Sequence, residues 1–140
     1  MAHLPHIRLS GDTVEILKNT SWYPMTRLEN IWHVSSLADY SVIHLNQGDR
    51  IVVLLSLKDA IEILNDEDKH APEDVDEKEK EKTFIRIHRK YIVNIDGVQG
   101  YDKSTLHMKD GKKFPIGRVY KKSVYIAVDQ KKFQSLRIAA

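Results

Sequence analysis

The chain has 140 residues, 41% of them hydrophobic and 30% charged, which suits one globular domain with its own apolar core and excludes wholesale disorder. It has no cysteine, which rules out a disulfide framework, a thiolate metal site and a cysteine nucleophile. The formal net charge of +2 conceals an uneven distribution of −2 over residues 1–64, −5 over 65–83 and +9 over 84–140, so an anionic partner is expected to meet the C-terminal part.

The N-terminal "MAHLPHIRLSGDTVEIL" has no apolar run of signal-peptide length behind a basic start. No stretch approaches the roughly 18 apolar residues of a membrane span, so the expected setting is cytoplasmic, with no membrane partner. Residues 1–12 read as an N-terminal extension. The runs "TVEIL" (Thr13 to Leu17), "RLENIWHV" (Arg27 to Val34), "YSVIHL" (Tyr40 to Leu45) and "RIVVLL" (Arg50 to Leu55) are β-branched and aromatic, as strands are. "SSLAD" and "NQGD" break them, and Gly48 suits a hairpin turn. In "SLKDAIEIL" Ser56 stands at an N-cap position with Asp59 three residues on. Leu57, Ala60, Ile61 and Leu64 then recur at helical spacing, which predicts a short amphipathic helix.

Residues 65–83, "NDEDKHAPEDVDEKEKEKT", carry Asp, Glu, Lys and Pro without an aromatic residue and read as a solvated acidic loop inserted within one domain. Neither flank has the length to bury a core comfortably alone. Beyond the loop, "FIRIHRKYIVNID" (Phe84 to Asp96) packs Arg86, His88, Arg89 and Lys90 into five residues before an apolar run. The segments "GVQGY", "TLHM" and "KKFPI" follow as strands, with Asp110-Gly111 as a hairpin signal. From Arg118, "RVYKKSVYIAV" places Val119, Ser123, Ile126 and Ala127 on one helical side and leaves Lys121 and Lys122 for solvent or a ligand. Residues 129–140 form a basic amphiphilic tail that either continues this helix or packs elsewhere. Trp22, Trp32, Tyr91 and Phe114 are assigned to packing, and Asn94 to a turn.

Seven histidines invite a metal reading, but His33, His44, His70, His88 and His107 show no H-E-x-x-H or comparable spacing. There is no Gly-rich phosphate loop, and most acidic residues lie in the inserted segment. No catalytic residues, metal ligands or cofactor are therefore expected.

The order of elements and two long motifs, "FIRIHRKYIVNID" and "MKDGKKFPIGRVYKKSV", resemble the LytTR DNA-binding domain. That family typically shows F-x-R-x-H-R-S-Y-I-V-N followed by D-G-x-x-x-P-V-S-R-x-Y-x-K. The likeness extends back through "RLENIWHVSSLADYSVIHL" and "LLSLKDAIEIL", covering about Thr13 to Val128. Lys90 stands where the family usually has Ser, Gly117 where it has another small residue, and the acidic insertion lengthens a connection that is usually short.

The resemblance implies a mostly β fold of antiparallel sheets (α+β by count), with one short helix before the acidic loop and a C-terminal helix. It implies a stand-alone transcriptional regulator, 13–128 being the domain, that binds double-stranded DNA with loops in successive major grooves. Binding is expected as a homodimer or side by side on repeated half-sites, with a regulatory protein partner left open. Tyr40, Arg89 and Arg118 fall at groove-entering positions and would contact bases, Arg89 through guanine O6 and N7. Ser56, Arg86, His88, Lys90, Lys121 and Lys122 would contact phosphate. The alternative is a module that binds single-stranded nucleic acid or a protein through a basic β surface, which would stack bases on exposed aromatic residues.

Overall fold

The computed structural model describes residues 7–66 and 83–139. Eleven strands occur among them: β1 (Ile7–Ser10), β2 (Thr13–Lys18), β3 (Ser21–Arg27), β4 (Ile31–Leu37), β5 (Tyr40–Leu45), β6 (Arg50–Val53), β7 (Phe84–His88), β8 (Tyr91–Asn94), β9 (Val98–Asp102), β10 (Thr105–Met108) and β11 (Lys113–Pro115). The helices are α1 (Leu57–Leu64) and α2 (Lys121–Ala139), and a 3-10 turn, Arg118–Tyr120, leads into α2.

The strands form a central five-stranded antiparallel sheet ordered β6-β5-β4-β8-β7 and two three-stranded sheets, β1-β2-β3 and β11-β10-β9. Alternation along the central strands separates two apolar clusters. In β8, Ile92 joins the cluster that contains Ile7, Val14, Ile43, Leu57, Leu64 and Phe84, while Val93 joins that of Ile87, Leu106, Met108, Phe114, Val124 and Val128. A strand buried on both faces reads as a continuous apolar run, which is why "YIVNI" shows no polar alternation.

The fold is mostly β with two helices, as the sequence implies. Strands expected at "TVEIL", "YSVIHL" and "TLHM" are present, and those expected at "RIVVLL", "GVQGY" and "KKFPI" are present with shifted ends, as Arg50–Val53, Val98–Asp102 and Lys113–Pro115. Ser56 caps α1, its hydroxyl accepting the Asp59 N–H at 3.1 Å, and Leu57, Ala60 and Leu64 are the buried side. Gly111 turns the β10–β11 hairpin at φ 92°.

Four expectations are corrected. "RLENIWHV" is not one strand: Leu28–Asn30 form a 3-10 turn, and β4 instead runs on to Leu37, so the break "SSLAD" shrinks to Ala38-Asp39. β3 was not anticipated, because Pro24 interrupts the pattern "SWYPMTR"; the ladder accommodates it with a register shift between Val14 and Glu15. Within the stretch read as N-terminal extension, Ile7–Ser10 pair with β2, and Ile7 is fully buried. Finally, Val119, Ser123 and Ile126 are exposed, whereas Val124 and Val128 are buried. The α-helix begins at Lys121 rather than Arg118, so the phase is set by the i, i+4 pair Val124 and Val128.

The tail alternative resolves toward continuation, since α2 runs through 129–139. Asp129 accepts from the Tyr101 hydroxyl, and Lys131 pairs with Asp96 at 2.9 Å, which fastens the helix to the β9 region. Of the acidic insertion, residues 67–82 lie outside the described residues. Its two ends are anchored: the Asn65 side chain donates to Phe84 O and accepts Phe84 N–H, both at 2.9 Å, and Thr83 O accepts from Ile95 N–H.

Candidate nucleic-acid interface

Four connections meet at one end of the central sheet, and their geometry follows from the strand pairing. The β4–β5 turn, Ala38-Asp39, is two residues long, with Ala38 at φ 52°, a left-handed conformation that a non-glycine residue adopts at a cost of about 1 kcal/mol. Directly beside it lies the β7–β8 turn, Arg89-Lys90, because β4 pairs with β8 and Ser36 N–H donates to Lys90 O at 3.0 Å. The segment between β6 and α1 is fixed to the base of β5 by the buried Ser41 hydroxyl, which donates to Leu55 O at 2.6 Å. The fourth connection, between β11 and α2, is tied in by Gly117 N–H donating to Ile87 O at 2.7 Å.

The first three connections enclose an open cleft of about 310 Å³ lined by Tyr40, Ser56, Lys58, Arg86 and Arg89, with Asp39 as its one acidic side chain. Tyr40, 45% exposed, lines this cleft. Trp32 packs in the second apolar cluster. The N-terminus of α1 opens at the cleft through Ser56, adding unpaired backbone N–H groups and the positive end of the helix dipole to the cations.

The basic turn is internally braced. Arg86 Nε donates to His88 O at 2.9 Å and Nη2 to Arg89 O at 2.6 Å, while its guanidinium lies 5.9 Å from the Tyr120 ring centroid. His88 Nδ1 accepts the Lys90 N–H at 3.1 Å. Burial, then the charges of Arg89, Lys90 and Arg86, lower the His88 pKa, and protonating Nδ1 would remove the acceptor that holds the turn. These two residues thus shape the turn, whereas Arg89 and Lys90 at its tip are exposed.

At the fourth connection Arg118 and Lys122 are exposed and Lys121 is half-buried. Gly117 is required by proximity: a Cβ there would lie 2.9 Å from Tyr120 Cδ2 and 3.5 Å from His88 Cα. Two residues of this end were not singled out from the sequence. Lys58 sits inside a helix whose sequence signal is its apolar spacing, and only its place directly after the capped N-terminus marks it. Tyr120, which spaces Gly117 from Arg86, was visible only as an element of the R-x-Y-x-K motif.

His33 and His44, opposite each other on β4 and β5, stack with ring centroids 3.9 Å apart, but among the described residues no group of three or more His, Cys, Asp or Glu could hold a metal ion. No described helix is long and apolar enough to cross a membrane.

Residues 73–128 match the family model described as the LytTr DNA-binding domain. Among solved structures, the fold is similar to the LytTr DNA-binding domain of a protein described as a methyl-accepting/DNA response regulator from Bacillus cereus. That likeness has a TM-score of 0.53 at 18% identity, over 85% of this chain and 98% of that one, and is therefore a likeness of fold. No curated protein sequence matches.

Proposed function

We propose, from the premise that the chain carries a LytTR-type DNA-binding domain, that it regulates transcription by reading specific sequences in duplex DNA through the loops gathered at the basic end. One observation carries this reading: Tyr40, Ser56, Arg86 and Arg89, distant in sequence, line one cleft, and the connection bearing Arg118 is bonded to the strand that carries Arg86. Arg89, Arg118 and Tyr40 contact bases in the major groove, the two guanidinium forks suiting guanine. Ser56, Lys58, Lys90, Lys121 and Lys122 hold phosphates. Arg86 and His88 act through the turn they brace, and their direct share in phosphate binding is secondary.

Selection of bound duplexes from a random pool, followed by footprinting, tests the proposal and reads out whether the protein binds as a dimer or side by side on repeated half-sites. On the selected duplex, Arg89→Ala and Arg118→Ala are each expected to cost about 1–3 kcal/mol and to relax base preference at one position. Lys90→Ala and Lys121→Ala weaken specific and random DNA alike. Equal losses on both kinds of DNA for Arg89→Ala would remove its assigned role.

Gly117→Ala is expected to displace the Tyr120 ring and with it the contact to Arg86, reducing DNA affinity several-fold for a stability loss of about 1–2 kcal/mol by urea unfolding. Wild-type affinity in that variant would show that the spacing of the two connections is unimportant.

The single-strand alternative is disfavoured by where the aromatic rings are. Tyr101 stacks on Tyr125 at 4.3 Å, and Tyr91 packs against Phe114, so these rings are occupied by each other rather than offered to bases.

A further inference from the structure

We propose that Val119 is a specificity-determining residue that reads the C5 methyl group of a thymine beside the base contacted by Arg118, an inference that rests on the duplex-reading function above. Val119 is 84% exposed, more than any other large apolar side chain among the described residues; the next, Leu37, is 58% exposed. A scattered surface valine would mean little by itself. This one stands between Arg118 and Tyr120 in a 3-10 turn, followed at once by Lys121 and Lys122, at the end of the molecule where basic side chains gather.

Its backbone is held from both sides. Gly117 N–H donates to Ile87 O, Tyr120 N–H donates to Gly117 O at 2.9 Å, and α2 begins at the next residue. The β-branched side chain has little χ1 freedom, so the turn presents a stiff pair of methyl groups. No described apolar cluster includes it. In the major groove each base pair offers hydrogen-bonding groups, and thymine alone adds a methyl group, so a rigid aliphatic side chain next to a groove-entering arginine matches thymine.

The test uses the duplex selected by the full-length wild-type chain, with each thymine replaced in turn by deoxyuridine. That change deletes the C5 methyl and leaves base pairing intact. At one thymine next to the position relaxed by Arg118→Ala, the replacement is expected to weaken wild-type binding about three- to fivefold, the effect of withdrawing one methyl from an apolar contact. Val119→Ala should bind the thymine duplex about as weakly as the wild type binds the uracil duplex, and should be indifferent to the replacement there. Its melting temperature should match the wild type, since the side chain is exposed.

The proposal is overturned if no thymine flanks that position, if every replacement is neutral, or if Val119→Ala keeps the full sensitivity. An equal loss on random-sequence DNA would also overturn it, as would unchanged DNA binding together with lost self-association on a sizing column, which would make Val119 a protein contact. Failure of the wild type to enrich any duplex would strike the duplex-reading function itself, a result distinct from all of these.

Discussion

A tenfold rise in monovalent salt is expected to weaken DNA binding by about three and a half to four orders of magnitude, with a slope of log K against log salt of about −3.5 to −4. Each phosphate neutralised by a cationic side chain releases condensed counterions, and that release loses its advantage as bulk salt rises. Lys58, Lys90, Lys121 and Lys122 supply four such contacts in the proposed interface, with the α1 N-terminus adding backbone N–H donors. Arg86 is left out of this count, because two of its N–H groups are already held by the carbonyls of His88 and Arg89. Fluorescence anisotropy across a salt series measures the slope directly. Lys90→Ala and Lys121→Ala should each make it shallower by about one unit, while a wild-type slope near zero would be incompatible with phosphate contact as the main source of affinity.

The part of the fold and of this interface that is legible in the sequence is the local part. The Ser56 cap and the Asp110-Gly111 turn are decided within a few residues, by a hydroxyl that accepts an N–H three positions on and by a φ that glycine adopts freely. That Arg89-Lys90 stand in a loop follows from the motif around them, through the family resemblance, rather than from local turn chemistry.

What could not be read locally is how the tip is held. The bond from Ser36 N–H to Lys90 O depends on β4 pairing with β8 across a separation of more than fifty residues, and nothing near either residue announces it. The division of labour inside the basic cluster was illegible for the same reason. Arg86 and Arg89 look alike in sequence, yet one guanidinium braces carbonyls and the other side chain is exposed. A periodicity counted from Arg118 puts Val119 on an inner face, but the α-helix begins three residues later, and the intervening 3-10 turn leaves Val119 exposed.

Acidification from pH 7.5 to 4.5 is expected to destabilise the fold by about 2–3 kcal/mol through His33 alone. The ring is 6% exposed, lies 4.7 Å from the Phe114 ring centroid and stacks on His44, which shares a bond of 3.0 Å with the Ser35 hydroxyl. Burial first, then His44 and Lys112, lower the His33 pKa from 6.5 to about 3; burial, Lys112 and Arg50 lower that of His44 as well. A folded-state pKa below the unfolded one means that above about pH 6.5 both states are neutral and stability does not depend on this group. Below pH 6.5 the unfolded chain takes up a proton that the folded chain refuses, so stability falls by about 1.4 kcal/mol per pH unit until the folded pKa is approached. Carboxylates add their own background over the same range, which is why the comparison is between variants. His33→Phe keeps an aromatic ring against Phe114 and His44 but cannot titrate, and it should show a distinctly flatter decline in urea-unfolding free energy between pH 7.5 and 4.5. His33→Gln serves if the phenyl ring does not fit between its neighbours. A decline in both variants as steep as in the wild type would assign the acid sensitivity to groups other than the buried histidine.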